Sequence, residues 1–138
     1  MSDVNLTEAS VKPTSTTIKQ MVTFGATIVQ GTIVYRDSAD NEYKVADCTT
    51  SATTANACGM ALSSGADGQR GWIATGGDVT VDNVSLAAPV LILSEAGQMC
   101  PSADLADDDY ITVIGVASST TNLKLKFNPS GVVAAGIA

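Results

Sequence analysis

Residues 31–47 and 88–104 carry one phrase twice. Gly31-Thr32-Ile33-Val34-Tyr35 lies over Ala88-Pro89-Val90-Leu91-Ile92, and Ala46-Asp47 over Ala103-Asp104, with no gap between. Gly59-Met60-Ala61 and Gly115-Val116-Ala117 follow, and each copy then reaches a turn signal, at Gly76-Gly77 and at Pro129-Ser130-Gly131. The landmarks keep their order at an offset drifting only from 57 to 55 residues. Self-similarity at a fixed period settles architecture ahead of any residue-level argument. It makes the chain a β-rich module built twice, with no catalytic insertion in either copy. The shared identities are few, so chance likeness is the competing reading.

The 138 residues suffice for one domain with a real core. Apolar content is 45% but aromatics only 4%, so the core must be thin layers of Val, Ile, Leu and Ala. Charge is sparse at 15%, while Gly, Ala, Ser and Thr abound. That composition suits short strands joined by many turns, not helical bundles. The net charge is −7, and Lys12, Lys19, Arg36, Lys44, Arg70, Lys124 and Lys126 are scattered. Such a surface repels phosphate backbones, so no direct nucleic-acid partner is expected. The acidity serves solubility or a more specific use.

No histidine is present, and Cys48, Cys58 and Cys100 are three, so they cannot all pair within one chain. Their spacing is not that of a zinc site. Cys58 reads as a small buried apolar residue, and folding in a reducing cytoplasm is the simplest inference. Met1 to Asn5 lacks the basic and apolar regions of a signal peptide, no run is long enough for a membrane helix, and no membrane partner is expected.

Along the chain, residues 1–20 are polar, Ser/Thr-rich and interrupted by Pro13. They read either as an extended arm or as a disordered tail. Val4 with Leu6 and Ile18 with Met21 would pin such an arm against a neighbour. Residues 21–131 read as a single all-β domain. Thr32 to Arg36 is a β-branched run. Asp37-Ser38-Ala39-Asp40-Asn41 is a turn, because these side chains bond their own backbone, and Glu42 to Val45 returns as a hairpin strand. Cys58 to Leu62 reads as a buried strand. Gln69 to Thr75 is the next strand, with Gly71 a candidate bulge. Gly76-Gly77 turns, and Asp78 to Asp82 alternates cleanly. Val90 to Leu93, Tyr110 to Ala117 and Leu123 to Phe127 continue the series. About ten short strands indicate a compact β-sandwich or barrel. Residues 132–138 form an apolar tail, with Val132, Val133 and Ile137 as candidate partner contacts.

Catalytic sets are missing from the pattern. There is no Gly-x-Ser-x-Gly elbow, phosphate loop or Gly-x-Gly-x-x-Gly, and without His the common general base is absent. The chain reads as a non-enzyme with no cofactor. Asp104, Asp107, Asp108 and Asp109 are a solvated acidic turn or a weak cation site completed by a neighbour, for they lack the spacing of the well-known calcium loop. Trp72 is core, subunit interface or a ligand-stacking ring.

The string Gly31-Thr32-Ile33-Val34-Tyr35-Arg36-Asp37 … Tyr43-Lys44-Val45-Ala46-Asp47 resembles a family of small tailed-phage capsid decoration, or cement, proteins. So do Gly59-Met60-Ala61-Leu62 … Gly68-Gln69 … Gly76-Gly77-Asp78-Val79 and the closing Tyr110 to Ser118, Leu123-Lys124-Leu125 and Ser130-Gly131-Val132. The likeness runs from about Val4 to Val133; Ala88-Pro89 departs from the glycine-led strand start expected there. The resemblance implies a homotrimer on the outer surface of the phage head that clamps neighbouring major capsid subunits, made in a bacterial host. It carries over no catalytic residues. Two alternatives share the composition: another virion component (a head-fibre base or tail accessory domain), and a small cation- or carbohydrate-binding β-domain built on the acidic run and Trp72. Under the first reading, deleting residues 2–20 is expected to weaken shell binding and leave the β-core folded.

Overall fold

The computed structural model describes residues 11–47, 54–81, 90–93, 97–101, 110–119 and 121–133. They form ten strands: β1 (Lys12–Pro13), β2 (Ile18–Thr23), β3 (Ile33–Asp37), β4 (Glu42–Val45), β5 (Ala57–Ala61), β6 (Arg70–Thr80), β7 (Val90–Leu93), β8 (Met99–Pro101), β9 (Tyr110–Ser119) and β10 (Asn122–Val133). The protein is all-β, as its sequence indicates. No helix among the described residues is long and apolar enough to cross a membrane.

Local chemistry sets the β3–β4 hairpin. Asp37 accepts the Ala39 N–H and Asp40 accepts the Glu42 N–H, each at 2.9 Å on Oδ1. Asn41 takes the left-handed backbone at φ 59°, which its short polar side chain tolerates. Lys44 Nζ then bridges Asp37 at 2.7 Å and Asp40 at 3.1 Å.

The strand registers establish the duplication. In the first half Ile33 pairs with Met60 and Val34 with Gly59; the register then slips, and Tyr35 pairs with Ala57. In the second half Val90 pairs with Val116 and Leu91 with Gly115; the same slip follows, and Ile92 pairs with Val113. The outer hairpins agree as well. Val34–Val45, Tyr35–Lys44 and Arg36–Tyr43 correspond to Leu91–Pro101, Ile92–Cys100 and Leu93–Met99. Asn41 and Gly97, at equivalent turn positions, are both left-handed. Because a one-residue slip would send every side chain to the opposite face, agreement through two irregular ladders outweighs the few shared identities. The sheet order β4-β3-β5-β6-β10-β9-β7-β8 is accordingly a palindrome.

β6 belongs to both units. Its residues 70–76 pair with β2. Its residues 77–80 stand to β10 as β2 stands to β6. Gly76-Gly77, expected as a turn, therefore lies inside one 11-residue strand. Gly77 has φ 76°, and a β-carbon there would collide with the Thr16 carbonyl oxygen, so the glycine admits the chain passing beside it without reversing the strand. Pro129-Ser130-Gly131, also expected to turn, lies inside β10, and the expected apolar tail begins there too, since Val132 and Val133 end that strand. Gly71 makes no bulge; a β-carbon there would strike the Phe24 ring.

The first unit closes on itself where Phe24 bridges Tyr43 in parallel. Its interior holds Val22, Phe24, Ile28, Val34, Tyr43, Ala61 and Ile73. The equivalents in the second unit, Val81, Leu91, Met99, Ala117 and Leu123, are buried in the larger cluster, which also takes Ile33, Tyr35, Met60 and Ala74 from the outer face of the first unit. The two units thus share one buried cluster. Gly97 ties them further, donating its N–H to Ala46 at 2.7 Å and accepting the Ile33 N–H at 2.8 Å. Thr112, the buried polar residue among those described, donates its hydroxyl to the Ala55 carbonyl.

The chain from Val11 to Thr23 runs along β6. Lys12 pairs with Thr80 and Pro13 with Val79; after a short excursion Ile18 pairs with Gly76, and the ladder continues to Thr23 opposite Arg70. Val11 is fully buried in the main cluster, and the Gln30 side-chain amide donates to its carbonyl. Burying one valine is worth ~1.5–3 kcal/mol. The Thr14 and Thr17 hydroxyls both donate to the Asp78 carbonyl, and Thr16 Oγ1 donates to Asp78 Oδ2 at 2.9 Å. Residues 11–20 of the expected arm thus lie on the chain's own sheet; residues 1–10 lie outside the described residues.

Candidate interaction surface

Three large apolar side chains stand in solvent where β2 meets β6. Ile18 is 60% exposed, Met21 46% and Trp72 43%. Met21 lies directly opposite Trp72 in the ladder, so the two share a face. Ile18 lies over Gly76, where a β-carbon would touch its Cδ1 at 3.2 Å; strand alternation sets Ile18 on the other side of β2 from Met21, at a register shift that falls between Ile18 and Lys19. Lys19 joins Met21 and Trp72, with Nζ 5.9 Å from the centroid of the Trp72 ring. Ala74, two residues along and on the same side of β6, is fully buried, so the cover over this face stops between Ala74 and Trp72. Trp72 is consequently not core. Met21 and Trp72 thus make an exposed apolar pair on this face. The edge of β2 that faces away from β6 also has no strand partner among the described residues, leaving backbone groups free to pair.

Just past the end of β2 the chain bridges β4 at Phe24–Tyr43, where the Gly25 N–H donates to the Tyr43 carbonyl at 2.8 Å. Beyond that point a recess of about 340 Å³ opens between them, lined by residues 20–23 of β2 with Arg36, Asn41, Tyr43 and Arg70. A second hollow, bounded by Ser38, Asn56 and Cys58, shares Arg36 and Tyr43 as its wall. Burial pushes the Tyr43 phenol up, helped by the neighbouring Cys58, while Arg36 and a hydrogen bond with Gln20 oppose the shift. Burial likewise pushes the Cys58 thiol up, which keeps it protonated and a poor nucleophile. Around the hairpin the Lys44 ammonium is held strongly protonated by its bonds to Asp37 and Asp40, and both carboxyls are held below the usual range. Among the described residues no group of His, Cys, Asp and Glu is placed to hold a metal ion.

Of the residues singled out from sequence, Ile18 and Met21 are both exposed on β2, and Met21 lies beside Trp72. Val132 and Val133 end β10, with Val133 opposite Tyr110. Val4, Leu6, Ile137 and the acidic run from Asp104 to Asp109 lie outside the described residues. Sequence reasoning did not join Trp72 to Met21, or Arg36 to Arg70. Neither pair has a local signal, because strand register alone brings its members together. No family model, curated protein or solved structure matches the chain.

Proposed function

We propose that this chain is a structural virion protein. It binds the outer surface of an icosahedral phage head and stabilises it by bridging major capsid subunits, as a homotrimer. The observation that carries this reading is the exposed Met21–Trp72 pair, with Ile18 exposed farther along β2, a strand whose outer edge has no strand partner among the described residues. A surface of that type gains affinity from backbone pairing and apolar burial together, without a reactive group. The resemblance to decoration proteins supports the same reading. So does the net charge of −7, which disfavours contact with packaged DNA. Repetition of one modest contact about a closed axis, and again over many capsid sites, would supply the grip through multivalency.

The test is direct. Purified protein is weighed by light scattering and then added to expanded heads that lack it, and bound mass is located by electron microscopy. The expected result is a mass three times that of the chain and saturable density on the outer head surface. A monomer at micromolar concentration that leaves heads bare would overturn the reading. Density confined to tails or fibre bases would favour another virion role.

A further inference from the structure

Arg36 and Arg70 line one recess, and neither has a carboxylate partner among the described residues. In a chain with 14 acidic and only 7 basic side chains this is unexpected, since acids are plentiful. Lys44, nearby, engages two of them. Arg36 is oriented, not free: it sits opposite Tyr43 in the ladder, and its Nη2 donates to Asn41 Oδ1, whose left-handed backbone sets the turn. One bond of that kind leaves most of the guanidinium fork unused. Arg70 reaches the same recess from the start of β6, opposite Thr23. Gln20 and Tyr43 add neutral donors to the wall.

We propose that the recess between β2 and β4 is a carboxylate-binding site that receives an acidic side chain of a partner polypeptide. Two guanidinium groups with neutral donors beside them match the planar, two-oxygen geometry of a carboxylate. A polyphosphate fits poorly, because its length would run into the field of a chain carrying −7, with Asp37 and Asp40 close by on the adjoining turn. A polypeptide is favoured over a free acid by continuity: Met21 lines the recess and also belongs to the exposed apolar pair with Trp72. A segment with an apolar residue next to an acid would engage both. The inference does not depend on the capsid reading, and its test uses no capsid.

The probe is a blocked tetrapeptide alternating leucine and glutamate, titrated into the full chain and followed by NMR. Its glutamine counterpart and inorganic phosphate are run alongside. The expected result is saturable shifts of the Arg36 and Arg70 side-chain signals and of amides 20–23. Arg36→Gln and Arg70→Gln should each weaken binding about tenfold, the loss of one charge-assisted hydrogen bond. Lys12→Gln should leave it unchanged. Both arginines are exposed, so the variants should fold; if Arg36→Gln does not, Arg70→Gln alone decides. Equal binding of the glutamine peptide, saturation of the same signals by phosphate at equal concentration, or no saturable shift in the native chain would each overturn the proposal.

Discussion

A β-carbon placed on Gly115 would collide with the carbonyl oxygen of Lys124, across the β9–β10 ladder. The backbone of β10 cannot move aside without breaking its pairing to both β9 and β6. The equivalent glycine of the first unit, Gly59, has a softer neighbour: its β-carbon would meet Ile73 Cδ1 at 2.7 Å, the far end of a side chain that can turn. The same substitution should therefore cost different amounts in the two units. Gly115→Ala is expected to lower stability by about 1–3 kcal/mol or more, and Gly59→Ala by less, as read from urea midpoints. Equal midpoints would show that β10 yields as readily as a rotamer.

The N-terminal segment gives a second prediction, and it reverses an expectation drawn from sequence. Removing residues 2–20 takes Val11 from the core and β1 with part of β2 from the edge of β6. The truncated chain should lose at least the ~1.5–3 kcal/mol of the valine's burial. Its β6 amides should exchange faster with solvent. A truncation that stops at residue 10 keeps all these contacts. It should match the full chain in melting temperature unless residues 1–10 add contacts of their own. An unchanged melting temperature after the longer deletion would mean that the strand is laid on the sheet without supporting it.

What the sequence disclosed and what it withheld divide along a physical line. Asp37 to Asn41 was legible as a turn because its hydrogen bonds are local. The β-branched runs around Val34 and Ile114 were legible because alternation is local too. The duplication was visible in outline, since equal strand spacing survives when side chains drift. Gly76-Gly77 misled because glycine serves a reversal and a close approach equally well, and only the position of Thr16 distinguishes them. Residues 11–20 misled for a related reason. Their polarity fits a free arm, but Thr14, Thr16 and Thr17 spend it on Asp78. The candidate surfaces were legible only in part: Ile18 and Met21 stood out as apolar residues in a polar stretch. Trp72 beside Met21, and Arg70 beside Arg36, follow from a long-range register that no window of sequence contains.

Asp78 should make the strap on β6 sensitive to acid. Its carboxylate accepts the Thr16 hydroxyl and, at 3.3 Å, the Asn122 side-chain amide, and these bonds hold its carboxyl below the usual range. A group whose pKa is lower in the folded chain than in the unfolded one adds stability above the unfolded value. That stability disappears as pH falls through the folded value. The urea midpoint should thus be level from pH 8 to 5 and decline below about pH 4, near the ordinary value for aspartate. Asp78→Asn should flatten part of that decline. Asp37 and Asp40, shifted in the same direction, should account for a share of what remains. A variant with an unaltered acid slope would show that Asp78 contributes nothing beyond its backbone carbonyl.

Trp72 reports on the apolar pair it makes with Met21. With 43% of its surface in water, the ring should emit at long wavelength and be quenched readily by acrylamide in the free chain. Self-association or attachment to heads that uses this face should blue-shift the emission and protect it. Met21→Glu sets a charge opposite the ring in the ladder, where the native side chain is already half in solvent. Stability should change by no more than about 0.5 kcal/mol, as for most surface positions. Burying that carboxylate in an apolar contact is costly, so association should weaken tenfold or more and the blue shift should vanish. If Met21→Glu binds and shifts like the native chain, the contact lies on another face, and the exposed ring has no part in it.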